Sequence, residues 1–157
     1  MSIKQIVSIQ YQGTVNRAGQ QVRGLSTPPE GWLCTARKAL QMSGARLAER
    51  LGVSRAQVSK TEKSELSGRV TIKTMQKMAE AMECRFVYAI VPEKSVEEVI
   101  TAQARKKAEA IVEYTHQHMM LEGQALSDRQ IAFEVERLIT NMVDQQPADF
   151  WDDKSGY

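Results

Sequence analysis

The run Gly44-Ala45-Arg46-Leu47-Ala48-Glu49-Arg50-Leu51-Gly52-Val53-Ser54-Arg55-Ala56-Gln57-Val58-Ser59-Lys60 constrains this chain more than any other segment. Two helices that cross at a steep angle need a small side chain where their backbones approach, and Ala48 supplies it. Four residues later the tight turn needs a left-handed backbone, which Gly52 adopts without penalty. Val53 is placed to plug that turn, and Val58 to pack back on Leu47 and Leu51. Ser54 is a helix N-cap, with Gln57 at the reciprocal position of a capping box. These mutually consistent offsets predict helices near 44–51 and 55–64.

A plain helical hairpin would satisfy the same offsets, but it has no use for an outer face made of Arg55, Gln57, Ser59 and Lys60. The pattern is therefore read as a helix-turn-helix whose second helix suits a DNA major groove. Arg55 can donate to guanine, and Gln57 can make paired bonds to adenine. Ser59 and Lys60 fall at the margin, where phosphates and base edges lie. Arg46, Arg50, Lys63, Arg69 and Lys73 surround them with positive charge expected on the phosphate backbone of a double-stranded operator.

On the N-terminal side, residues 1–27 are polar, Gln-rich and interrupted by Gly13, Gly19 and Gly24. Ile3, Ile6, Val7 and Tyr11 fall on one helical face, which predicts an N-terminal arm or a docking helix. After Pro28-Pro29, Trp32 to Met42 reads as a helix with Trp32, Leu33, Ala36 and Leu40 inward, and a further helix is expected near 71–83. Cys84 to Val91 is β-branched and aromatic and stops at Pro92, so a strand is predicted there. A lone strand leaves its edges unpaired; pairing with the same strand of a second copy is the simplest remedy, and a homodimer is expected.

Ser95 caps a long helix with Glu97 and Glu98 in its first turn. Val96, Val99, Ile100, Ala104, Ala108, Ile111 and Val112 form its apolar stripe, and Gly123 ends it. Ser127 and Gln130 open a last helix that buries Ile131, Val135, Leu138, Ile139 and Met142. The tail from Gln145 is acidic, and its Phe150 and Trp151 are candidates to dock.

Charge separates the two halves. Residues 1–94 hold 15 Lys and Arg against 7 Asp and Glu, a net +8, while residues 95–157 hold 6 against 12, a net −6. A basic half suits a polyanion; an acidic half suits a basic partner surface or water. No apolar run approaches the roughly 20 residues of a membrane span, and Met1-Ser2-Ile3-Lys4-Gln5 lacks the apolar core of a secretory leader. A cytoplasmic protein without membrane contact is expected, with Cys34 and Cys84 as reduced, buried thiols. His116 and His118 lie on different helix faces with no cysteine near, so no metal is expected there. No nucleophile–base pair, phosphate loop or carboxylate cluster stands out, so neither enzymatic activity nor a cofactor is expected.

The segment 44–60, with Glu62 after it, resembles the Cro/repressor-like (Xre) helix-turn-helix family. Thr61 stands where such proteins place a larger apolar residue, and Ser43-Gly44-Ala45 replaces a Gln often seen at the start of the first helix. Gly31-Trp32-Leu33, Leu40-Gln41-Met42-Ser43, Val70-Thr71-Ile72-Lys73-Thr74, Cys84-Arg85-Phe86-Val87-Tyr88-Ala89 and Gln103-Ala104-Arg105 resemble the bacterial "mobile mystery protein A" family through most of residues 28–143. Members of that family are encoded beside a Fic-domain protein, which implies an antitoxin-and-repressor role here. Fic enzymes transfer AMP from ATP to hydroxyl groups, and their inhibitors offer a helix with Ser or Thr, three residues, then Glu and Gly or Asn. Glu122-Gly123 matches the end of that motif, with His118 at the Ser/Thr position, so the resemblance implies Glu122, Gly123 and His118 as partner-inhibiting residues. A bare Glu-Gly at a helix end also reads as an ordinary C-cap.

The expected fold is mainly α: a Cro/repressor-like helix-turn-helix bundle, one short β-strand and a C-terminal helical pair. The divisions are an arm over 1–27, the DNA-binding domain over 28–83 and the strand over 84–92. The helical pair for partner binding follows over 95–145, then the acidic tail over 146–157. The expected function is a DNA-binding antitoxin and autorepressor that inhibits a Fic-domain AMP-transferase toxin. The alternatives are a stand-alone repressor whose C-terminal helices only dimerise, and an adaptor that no longer binds DNA.

Overall fold

Hydroxyl side chains start five of the helices. Ser43, Ser54, Thr71, Ser95 and Ser127 each accept a hydrogen bond from the backbone N–H three residues on, satisfying a donor that a helix start would leave bare. The structure, a computed structural model, describes residues 1–153; the last four residues of the tail expected over 146–157 lie outside the described residues. The elements are α1 (Ile3–Gln21), α2 (Trp32–Ala39), α3 (Gly44–Leu51), α4 (Arg55–Leu66), α5 (Ile72–Ala81), α6 (Val96–Leu121) and α7 (Asp128–Gln145). They fall into two compact units, one over Val22–Ala89 and one that joins Met1–Gln21 to the chain from Ile90 onward.

The Val22–Ala89 unit closes around Leu33, Leu47, Ala48, Val58, Met75, Met78 and Met82, with Ala36, Leu51, Val70 and Phe86 packed at the margin. Three methionines, unbranched and adaptable, fill the space between short helices that meet at different angles. In the other unit α6 and α7 bury Ile100, Ala104, Ala108, Val112, Val135 and Ile139 between them. Alanines at 104 and 108 let the two helices approach closely, and Arg105 and Glu136 pair across the outside at 2.9 Å. Phe150, 1% exposed, caps this core. The turn that carries it is held by Gln103 Nε2 donating to the Phe150 carbonyl at 2.8 Å and by Lys106 pairing with Asp153. Trp151 remains 57% exposed and meets the Phe150 ring edge-on. α1 joins the unit through one residue above all: Asn16 Oδ1 accepts from Val96 N–H at 2.9 Å and its Nδ2 donates to Glu97 at 2.8 Å, which caps α6 from outside.

Several expectations are corrected. No strand occurs among the described residues: 84–90 runs without a ladder partner, and Val87, Tyr88 and Ile90 are exposed. A strand needs a second strand to bond to, and the chain offers none; Phe86 and Tyr88 stack on each other instead, ring centroids 5.6 Å apart. Trp32 and Leu40 are exposed, not inward. α2 has only eight residues and shows its unit one narrow face, carried by Leu33 and Ala36, while Leu40 falls at the C-cap. Val99 is likewise exposed. Of the thiols, Cys84 is exposed and Cys34 half-buried. Burial, then the Glu62 charge, pushes the Cys34 thiol above its ordinary range, which keeps it protonated.

Candidate nucleic-acid interface

The turn between α3 and α4 is built as the offsets require. Gly52 lies in the left-handed region at φ 69, ψ 30, and the next amide, Val53 N–H, donates back to the Ala48 carbonyl at 3.0 Å. Leu47, Ala48 and Val58 are buried where the helices cross. Val53 itself is 42% exposed, so its amide closes the turn while its side chain does not plug it. The capping box is half made. Ser54 Oγ accepts from Gln57 N–H at 3.1 Å, but the Gln57 side chain donates to Thr61 Oγ1 at 3.4 Å rather than reaching back to Ser54. Thr61 is the residue that departs from the family pattern, and it is buried. Its hydroxyl donates to the Gln57 carbonyl at 2.9 Å, so the core accepts a polar atom that is satisfied within α4.

Two contacts that sequence spacing does not reveal fix α4 in place. Arg37 of α2 grips Glu62 with two N–H groups, at 2.6 and 3.2 Å, and donates a third to the Met42 carbonyl. Both side chains are about 15% exposed, and the carboxylate holds the Arg37 guanidinium above its ordinary range. Glu65, one turn on, sends Oε1 to the Trp32 and Leu33 N–H groups at 3.0 and 3.1 Å. It thus caps α2, whose own N-cap, Gly31, has no side chain to do so. A glycine before a helix that starts without Ser, Thr, Asp or Asn was the available signal.

With the inner side of α4 committed, its outer side presents Arg55, Gln57, Ser59, Lys60 and Lys63, all exposed. Lys60, Lys63 and Arg69 line one shallow groove with Ala56, Ser59, Ser64 and Ser67. The hydroxyls of Ser64 and Ser67 donate to the Lys60 and Ser64 carbonyls, while Lys60, Lys63 and Arg69 are exposed. Arg46 is exposed on α3 and pairs with Glu49 at 2.7 Å. Arg50 is drawn away: it donates to the Ala81 carbonyl and to Glu83, both at 2.6 Å, tying α3 to the end of α5.

The second set of candidates sits at the end of α6. Glu122 is the C-cap, followed by Gly123 at φ +74, and Gln124 N–H donates to the Met119 carbonyl at 2.8 Å. Glu122, Gly123 and His118 are exposed, and the His118 ring meets Tyr114 edge-on, centroids 4.3 Å apart. The described residues gather no group of three or more metal-ligating side chains. No described helix is long and apolar enough to cross a membrane.

Comparison with known proteins agrees with this geometry where it reaches. No curated protein and no solved structure is similar enough to count as a match. Residues 35–88 match the helix-turn-helix family, and that span runs from within α2 through α5 and takes in the turn at Gly52 and the whole of α4. Residues 35–88 are therefore a helix-turn-helix domain of the kind that DNA-binding transcription regulators carry.

Proposed function

We propose that this protein is an autorepressor and antitoxin that reads an operator with α4 as a homodimer and silences a Fic-domain AMP-transferase with the end of α6. The observation that carries the DNA half is the division of α4. Val58, Thr61, Glu62 and Glu65 face the fold, while Arg55, Gln57, Ser59, Lys60 and Lys63 are left exposed on a capped helix. Arg55 and Gln57 at its first turn have the donors and acceptors to tell guanine and adenine from other bases. Lys60, Lys63 and Arg69 supply base-independent attraction to phosphate.

The antitoxin half rests on the resemblance to a family encoded beside Fic proteins, and the exposure of Glu122 is compatible with it. A Fic active site holds an arginine that grips the terminal phosphate of ATP. A carboxylate offered to that arginine replaces the phosphate, and ATP is left in an unproductive pose.

Two measurements test the halves separately. Arg55→Ala with Gln57→Ala should remove selectivity for the protein's own promoter, about 1–3 kcal/mol for each lost base contact, without changing helical content. Unchanged affinity rules α4 out as the reader. Glu122→Ala should still co-purify with the Fic partner but release AMP transfer; full suppression by the variant leaves Glu122 as a C-cap and nothing more.

A further inference from the structure

Thr61 is 8% exposed, on the side of α4 that also buries Val58. A hydroxyl has one hydrogen to give, and that of Thr61 goes to the Gln57 carbonyl at 2.9 Å. Toward the Gln57 side chain Oγ1 is therefore an acceptor only, and the group it meets is Nε2, at 3.4 Å. The bond is long, and what matters is the orientation it excludes. Turned over, the amide would set Oε1 against an oxygen with no hydrogen left, at a buried site where an unpaired acceptor is costly. The backbone end of Gln57 is fixed as well, its N–H donating to Ser54 Oγ at 3.1 Å. Gln57 is nonetheless exposed, one turn before the buried Thr61.

We propose that Thr61 is a positioning residue: it decides which end of the Gln57 amide meets DNA, and so makes Gln57 select adenine over guanine. The inference rests on the reading of α4 as the operator-reading helix. With Nε2 turned toward Thr61, Oε1 is the outward end of the amide, beside the remaining N–H. In the major groove adenine shows its N6 donor and N7 acceptor and complements that pair, whereas guanine shows the two acceptors O6 and N7. Guanine therefore sets O6 against Oε1. A glutamine free to turn over escapes that clash by offering its NH2 to guanine, and reads both purines. Thr61→Val keeps the shape of the side chain and removes the acceptor, which frees the amide. Thr61→Ser keeps the hydroxyl.

The probe is a pool of DNA duplexes with a randomised central stretch, selected with the unmodified full chain. Gel shifts then follow on the selected duplex and on copies with single base exchanges. Gln57→Ala marks the base pair that Gln57 reads, as the one whose exchange no longer matters. At that pair the unmodified protein should favour adenine over guanine roughly tenfold. Thr61→Val should bring the ratio near one and leave the other positions as selective as before, and Thr61→Ser should keep it. A merely structural loss weakens both duplexes alike and does not move the ratio. NMR of the unmodified protein needs no variant at position 61: a nuclear Overhauser contact is expected between the Gln57 side-chain NH2 and the Thr61 side chain. A ratio unmoved by Thr61→Val, a ratio lost in Thr61→Ser, a preferred base other than adenine, or the absence of the NMR contact overturns the proposal. Each of these leaves operator reading standing. A common sequence in which Gln57→Ala relaxes no position leaves the reading to Arg55 and refutes the role of Thr61. A pool that yields no common sequence refutes operator reading itself, and the proposal falls with it.

Discussion

Replacing Gly31 with alanine strains the helix-turn-helix unit at a point that can be worked out atom by atom. Gly31 has φ 83 and ψ 165, a region that only glycine occupies readily, so an alanine there costs about 1–3 kcal/mol in backbone strain. Its Cβ would lie 1.9 Å from Glu65 Oε2, an atom that is buried without a hydrogen-bond partner. The carboxylate must swing away, and Oε1 then leaves the Trp32 and Leu33 N–H groups. Losing that cap costs about 0.5–2 kcal/mol more. The expected total is about 3 kcal/mol, a factor of about a hundred in the folding equilibrium. Trp32 sits at the site and Trp151 in the other unit, so urea unfolding followed by fluorescence in a Trp151→Phe background reports on the right body. Displacement of the Glu65 carboxylate also couples the two positions. In a Glu65→Ala background there is no carboxylate to displace, so Gly31→Ala should cost only its strain, and the pair should fall short of additivity by about 1 kcal/mol. A loss within about 0.5 kcal/mol, as for an ordinary surface change, refutes the strain. Strict additivity refutes the displaced cap.

Lys60→Ala, Lys63→Ala and Arg69→Ala should each weaken binding to all DNA sequences alike and shrink the slope of log K against log salt by about 0.9. Arg50→Ala should leave the slope unchanged, because its guanidinium is held by Ala81 and Glu83. Glu62→Ala leaves the Arg37 guanidinium mostly buried without its carboxylate and should destabilise the unit by about 2–4 kcal/mol, read as above. Glu97 is held below the usual carboxylate range by its own backbone N–H and then by the Asn16 amide. A depressed carboxyl adds stability above its unfolded pKa and loses it as pH falls through the folded one. Asn16→Ala should therefore raise the Glu97 titration seen by NMR and flatten the acid side of the stability profile for this unit.

What the sequence made legible was local. Ala48, Gly52, Ser54 and Val58 specify two helices and a turn through contacts less than a dozen residues apart, and the observed α3 and α4 lie where those residues put them. The same holds for the Ser95 and Ser127 caps. What was missed depends on a distant partner. Glu65 capping α2, Arg37 gripping Glu62 and Asn16 capping α6 join residues 25 to 80 positions apart, and no periodicity announces them. Apolarity misled where an element was too short to bury all its apolar residues, as at Trp32, Leu40 and Val53. At 84–90 strand-forming composition was present but a second strand was not. Among the site residues, exposure follows from the burial of the opposite face of α4, whereas the loss of Arg50 from the basic surface depends on where α5 ends.

The division of one unit between the two ends of the chain has a consequence for how the protein is made. α1 leaves the ribosome well before α6, and Asn16 cannot make its bonds to Val96 and Glu97 until those residues have been synthesised. The whole of Val22–Ala89 emerges in between, on the order of ten seconds or less at roughly 5–20 residues per second. The core residues of the helix-turn-helix unit, from Leu33 to Met82, have all been made while α1 is still an unanchored, β-branched segment. A chain cut short by premature termination before residue 96 would therefore still carry the whole helix-turn-helix domain, but with α1 unanchored and neither α6 nor α7. Such fragments would keep the exposed face of α4 while lacking both helices that pack together in the other unit.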